Sequence, residues 1–244
     1  MQAEPPTTTY DGDWREECVL PPLGRVRLRL IRASDKRLLV RALGKLSPES
    51  QYRRFLTAKA RLTDAELRYL TEVDGVRHLA IGAARLDSRG REREGVGVAR
   101  YIVLPGETEI AEAAVTIIDT AQGVGLGRLL LRRLADAARS HGVTHFRATV
   151  LATNLPMRRL LEDVAQGSIV VAQDGALVEL DVPISPPPPD ESRDHRPDAT
   201  PRASNPLERL MASAAAGAVV VQHTVDRFLP GLLLKGDHPD LPDD

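Results

Sequence analysis

The chain has 244 residues, 33 basic and 34 acidic, so its formal net charge of −1 offers no global field to nucleic acid. Aromatic residues make up only 3%, which argues against stacking platforms for single strands, and the single Cys18 excludes an intramolecular disulfide and a cysteine-based zinc site. No basic segment followed by an apolar run opens the chain, and no apolar run reaches membrane-spanning length, so a cytoplasmic location without membrane or nucleic-acid partner is expected.

Residues 1–24, with Pro5-Pro6, Thr7 to Thr9, Pro21-Pro22 and Gly24, read as a flexible N-terminal arm in which Cys18 is a bystander. Arg25 to Leu30 alternates as a half-buried strand does. A helix over 35–45 is expected from a Ser34 cap, and a second from Ser47-Pro48-Glu49, a cap followed by proline at the first helical position. The third starts at Thr63-Asp64-Ala65-Glu66, which has capping-box spacing. Strands follow at 78–86 and 95–103, joined by the charged turn Asp87 to Glu94, and a further strand at 109–118.

Next comes Gln122-Gly123-Val124-Gly125-Leu126-Gly127, and then a helix to His141 with Leu126, Leu129, Leu130, Leu134, Ala137 and Ala138 on one stripe. A strand that runs through glycines into a helix start makes a ready anion site, although glycine-rich turns also occur without a ligand. The spacing is neither the dinucleotide fingerprint nor a P-loop, because no Lys-Ser/Thr follows. A strand over 146–151, a helix from the Asn154 cap to Val164, and a hairpin of 169–171 with 177–182 around Asp174-Gly175 close the periodic region. The order β, helices, β-β-β, α, β, α, β-β predicts an α+β fold, a mixed sheet without regular βαβ alternation.

This order, with Gln122, Gly125 and Gly127 fitting the signature Arg/Gln-x-x-Gly-x-Gly/Ala, resembles the GNAT superfamily of acyl-CoA-dependent N-acetyltransferases. The resemblance covers residues 25–183 and is nearest to the GNAT domains of bacterial protein lysine acetyltransferases. It rests on Leu-Ser-Pro-Glu-Ser-x-Tyr-x-Arg-Phe (46–55), Val-Ala-Arg-Tyr (98–101), Gln-Gly-x-Gly-Leu-Gly (122–127) and Asn-x-Pro-Met-Arg (154–158). It implies a splayed, mainly antiparallel sheet flanked by helices, with acetyl-CoA between the strands at 109–118 and 146–151, no metal, and an amine acceptor.

The resemblance also implies roles. Backbone amides of Gly123, Val124, Gly125, Leu126, Gly127 and Arg128 would hold the pyrophosphate, with Gln122 leading the turn. Many relatives have arginine where this chain has Val124. Backbone groups at Val115, Thr116 and Ile117 would pair with the pantetheine arm and polarise the thioester carbonyl. Asn154 matches an asparagine that contacts CoA, and it also suits a helix cap. A lysine amine, with pKa about 10.4, must lose a proton before it can attack. Glu112, in an apolar strand ten residues before Gln122, is the expected general base, with Glu107 and Glu109 as fallbacks. His78 is the second acid–base candidate, and a loop-capping role is its alternative. The tyrosine that many relatives place after the asparagine is missing from Arg158 to Ser168.

A proline-rich linker is expected at 185–206, followed by a tail at 207–244 whose helical apolar segment, from Asn205-Pro206-Leu207-Glu208, would dock on the same or a second subunit as a homodimer contact. The expected activity is transfer of acetyl from acetyl-CoA to a protein lysine. The alternatives are a small-molecule amine acceptor and a catalytically decayed acyl-CoA-binding regulator.

Overall fold

The computed structural model describes residues 9–56, 61–166 and 169–185. The linker beyond Ser185, the tail with its expected dimer contact, and Gly167-Ser168 lie outside the described residues. An eight-stranded sheet runs in the order β1-β2-β3-β4-β5-β6-β8-β7, formed by β1 (Arg15–Leu20), β2 (Gly24–Leu30), β3 (His78–Leu86), β4 (Glu92–Val103), β5 (Ile110–Ile117), β6 (His145–Leu151), β7 (Val170–Asp174) and β8 (Leu177–Pro183). Every pair is antiparallel except β5 with β6. This is the mixed sheet that the element order predicts, mainly antiparallel as the resemblance implies.

Among the described residues five helices cover it: α1 (Lys36–Leu43), α2 (Pro48–Phe55), α3 (Asp64–Thr71), α4 (Leu126–Ser140) and α5 (Leu155–Glu162). Their starts follow the sequence signals. Ser47 Oγ accepts from Ser50 N at 3.2 Å with Pro48 behind it. Thr63 and Glu66 close a reciprocal capping box at 2.7 and 3.2 Å, and Asn154 Oδ1 accepts from Met157 N at 3.3 Å. Alternation along β4 sets the two faces of the sheet. Arg100 reaches the Leu70 carbonyl at the end of α3, whereas Tyr101 beside it donates to the Val76 carbonyl and meets His141 at the end of α4. The helices α1 to α3 therefore lie on one face and α4 on the other.

Three expectations need correction. The stretch read as a flexible arm holds β1, whose Glu16, Cys18 and Leu20 alternate inward, while Tyr10 is buried against Trp14 at a ring separation of 4.7 Å. Only two of those three inward residues are apolar, so the alternation is muted in the sequence. Ser34 does not cap α1: Ala33–Asp35 form a 3-10 turn, and Asp35 sits at the cap position, its carboxylate taken by Arg32 N and by both Arg29 Nη atoms. Finally, β4 begins at Glu92 rather than 95, because Glu92 and Glu94 find cationic partners in Arg29, Lys45 and Arg85.

Helix α4 is more deeply buried than its predicted stripe. Leu131 and Ala135 join Leu126, Leu130, Leu134, Ala137 and Ala138 in the core, with α5 on one flank and Arg133 bound by Glu16 of β1. Each fully buried leucine contributes about 1.5–3 kcal/mol, so α4 is a principal anchor of the sheet.

Candidate active site

The strands β5 and β6 pair only from Ile110 to Glu112 with His145 to Arg147. Beyond that point they part, and the β6-facing edge of β5 from Ala113 to Ile117 has no strand beside it. A cleft of about 850 Å3 fills the gap. Its walls are Glu112 to Ile117 of β5, Thr149 and Val150 of β6, Ser50, Arg53 and Arg54 of α2, the glycine turn, and Asn154, Met157 and Leu160 at α5. The volume is that of a ligand site.

The glycine turn shows why its residues are small. Gly123 has φ 76° and Gly125, the cap of α4, has φ 84°, in the left-handed region where a Cβ costs about 1–2 kcal/mol. At Gly127 space decides, since a Cβ would stand 3.1 Å from Leu160 Cδ1. Leu129 is the first α4 residue whose amide bonds back, to Gly125 O at 3.1 Å. The amides of Gly125, Leu126, Gly127 and Arg128 thus lead the helix without an intrahelical partner, at the positive end of its dipole. The side chain of Val124 packs toward the core instead of lining the cleft, and Arg128 is held by Asp163 at 2.7 Å.

Gln122 lines the cleft, but its amide group is a bolt. Nε2 donates to Ile117 O at 3.1 Å and Asp119 Oδ1 at 3.0 Å, and reaches Ser50 Oγ at 3.3 Å. Asp119 is the hub: it also accepts from Ser47 N at 2.5 Å and from the Ser50 hydroxyl. Burial alone would raise the Asp119 carboxyl, but these hydrogen bonds hold it below the ordinary range. One carboxylate therefore joins the start of α2, the end of β5 and the glycine turn. The sequence reading gave Asp119 no role, although an aspartate between an apolar strand and a glycine turn is a good loop organiser.

Glu112 sits at the fork of the two strands, only 6% exposed, in the cleft wall. Beside it is Arg54 of α2, whose guanidinium is drawn down to about 10 by burial, with the Glu112 charge opposing the shift. The fallbacks Glu107 and Glu109 lie outside the cleft lining. So does His78. It shares a row of the sheet with Ile102 and Glu112, about 10 Å from Glu112 across two strand spacings. Burial, and then the Arg100 charge, push its imidazole down to about 4, so it is neutral near pH 7. Arg100 donates to His78 Nε2 at 3.1 Å, and the Tyr69 ring lies 5.1 Å from the imidazole. The structure thus brings His78 to Arg100 and not to the cleft. Arg54 and Arg100 both fall within phrases that carry the resemblance, but neither was singled out by the sequence reading.

A sequence profile described as the acetyltransferase (GNAT) family matches residues 37–165, just over half of the chain. The chain belongs to the GNAT acetyltransferase family. Acetyltransferase PA5475 of Pseudomonas aeruginosa is 34% identical to it over 135 residues, 55% of this chain and 71% of that protein. Acetyltransferase Pat of Mycolicibacterium smegmatis is 34% identical over 139 residues, 56% of this chain but only 40% of Pat. The crystal structure of the GNAT domain of S. lividans PAT has a TM-score of 0.61 at 28% identity, covering 72% of this chain and 99% of that domain. This GNAT acetyltransferase has the α+β fold of its family, in which acetyl-CoA use is typical. No helix among its described residues is long and apolar enough to cross a membrane.

Proposed function

We propose that the cleft takes acetyl-CoA along the open edge of β5 and that Glu112 deprotonates the incoming amine, a lysine side chain of a cytoplasmic protein. The observation that carries this reading is a buried carboxylate at the fork of β5 and β6, in the wall of an 850 Å3 cleft. The residues present fit the donor. The amides of Gly125 to Arg128 suit a pyrophosphate, and at Gly123 the space beside the backbone is open. The unpaired edge at Val115, Thr116 and Ile117 offers main-chain donors and acceptors to an extended amide-bearing arm. Asn154 faces the cleft while capping α5, so one side chain can serve both ends.

Acetyl-CoA supplies an acetyl thioester, which is reactive toward a neutral amine. Glu112 accepts a proton from the ammonium, directly or through water, and the freed lone pair forms the N–C bond as the C–S bond breaks. No tyrosine lines the cleft among the described residues, so the departing sulfur is protonated by water or by the product ammonium. The likeness to the GNAT domains of bacterial protein lysine acetyltransferases, at 34% identity to Pat, supports the lysine acceptor.

Glu112→Gln keeps the shape and removes the base. It is expected to lower kcat by about 10²- to 10⁴-fold, leave acetyl-CoA binding within a few-fold, and flatten the acid limb of the pH–rate profile. An unaltered profile rejects Glu112. Incubation of the enzyme with labelled acetyl-CoA and cell extract tests the acceptor. Label on protein lysines supports the reading, and label confined to small molecules replaces it with a small-amine acceptor.

A further inference from the structure

A second cavity, of about 90 Å3, lies between α1 to α3 and the sheet. It shares Leu46, Arg54, Phe55 and Thr116 with the main cleft, so the two adjoin where β5 runs along the cleft wall. Its volume is far below the roughly 300–1,000 Å3 of whole-ligand sites, which suits a substituent rather than a complete substrate. Most of its lining is apolar, including Leu38, Leu43, Leu62 and Ile118.

Among the described residues three arginines interrupt that lining, and their partners differ. Arg29 holds Asp35 and Glu92, with contacts of 2.7 Å to each. Arg54 interacts with Glu112. Arg100 is 2% exposed, and its partners among the described residues are the Leu70 carbonyl and His78 Nε2, each at 3.1 Å. Both partners are neutral, and no carboxylate among the described residues lies within ion-pair distance. A buried guanidinium without a counter-charge is costly, and two of its five N–H groups satisfied leaves capacity for a bidentate acceptor.

We propose that this cavity receives the far end of a carboxyl-bearing acyl group, so that the enzyme transfers a short dicarboxylic acyl chain of the succinyl type as well as acetyl. The inference rests on the acyl-CoA reading of the cleft. Arg100 stands opposite Ala114, two residues from Glu112, and Arg54 lines both spaces beside Glu112, which places the cavity beside the acyl end. The methylenes would lie against the leucines, and the carboxylate would take the free N–H groups of Arg100 and compensate its charge. The reaction balances as before: the amine nitrogen bonds to the acyl carbon, the C–S bond breaks, the amine proton passes to Glu112, and the sulfur is reprotonated. The distal carboxylate is unchanged.

The test is steady-state turnover of one lysine acceptor with acetyl-, succinyl- and isocaproyl-CoA, the last having the succinyl skeleton without its charge. In the wild type, kcat/KM for succinyl-CoA should exceed that for isocaproyl-CoA at least about tenfold, and Arg100→Gln should erase the difference while acetyl-CoA stays within about threefold. Arg100→Lys should restore part of it. Equal use of the two longer donors, acetyl transfer without succinyl transfer, or an equal fall for all three donors in Arg100→Gln would each overturn the proposal. The wild-type comparison decides even where Arg100→Gln does not fold. Absence of binding by every donor in calorimetry would instead remove the underlying acyl-CoA reading.

Discussion

At the scale of single residues, environment assigns the work. Glu112 and His78 stand in one row of the sheet, but the first faces the cleft and the second is enclosed by Tyr69 and Arg100. A histidine neutral near pH 7 and bonded to a guanidinium acts as an acceptor that orients Arg100. Its titration has a consequence for stability. The native pKa is about 4 against an unfolded value near 6.5, so between these values the unfolded chain binds more protons. Stability is therefore fully present above pH 6.5 and is lost as pH falls toward 4, by about 2 kcal/mol at pH 4.5. Urea midpoints between pH 7.5 and 4.5 should show this slope in the wild type and a flatter one in His78→Gln. Equal slopes would mean that other groups carry the acid sensitivity. The sequence suggested both residues as acid–base candidates; what it could not reveal was that the proton-accepting nitrogen of His78 is occupied by a residue 22 positions away.

At the scale of elements, most boundaries were legible where a local cap or a clear period defines them. The capping box of α3, the serine–proline start of α2 and the glycine entry to α4 are examples. The failures were elements defined by distant partners. β1 depends on pairing with β2, and the early start of β4 depends on Arg29 and Lys45 from other parts of the chain. The Asp119 hub belongs to the same class, since its acceptors serve Ser47 and Ser50, some 70 residues earlier. Asp119→Ala removes the bonds that hold the glycine turn to α2 and β5. It is expected to cost about 2–3 kcal/mol of stability and to raise the KM for acetyl-CoA several-fold with a smaller effect on kcat. Thermal melts and saturation kinetics check both parts. A loss of stability with KM unchanged would make the hub purely structural.

At the scale of the whole molecule, residues 10–20 are integral to the sheet and its underside. Tyr10 is buried beside Trp14, Arg32 donates to Gly12 O at 2.8 Å, and Glu16 holds Arg133 of α4 at 2.6 Å. Removing residues 1–20 would strip β1, bare the edge of β2 and uncover the α4 flank. The loss should be about 3–5 kcal/mol, with self-association through the exposed edge. Melting temperature and gel filtration of the shortened chain test this, and a dispensable arm would leave both unchanged.

The fork between β5 and β6 also bears on how the enzyme behaves between turnovers. A sheet that stops pairing after three residues leaves the rest of that edge of β5 without a neighbouring strand. In the bound state proposed above, the donor's own amides supply the missing rungs. The substrate then becomes temporary secondary structure. The empty enzyme would be a slightly looser fold than the loaded one, with the difference concentrated along the line where the chemistry takes place.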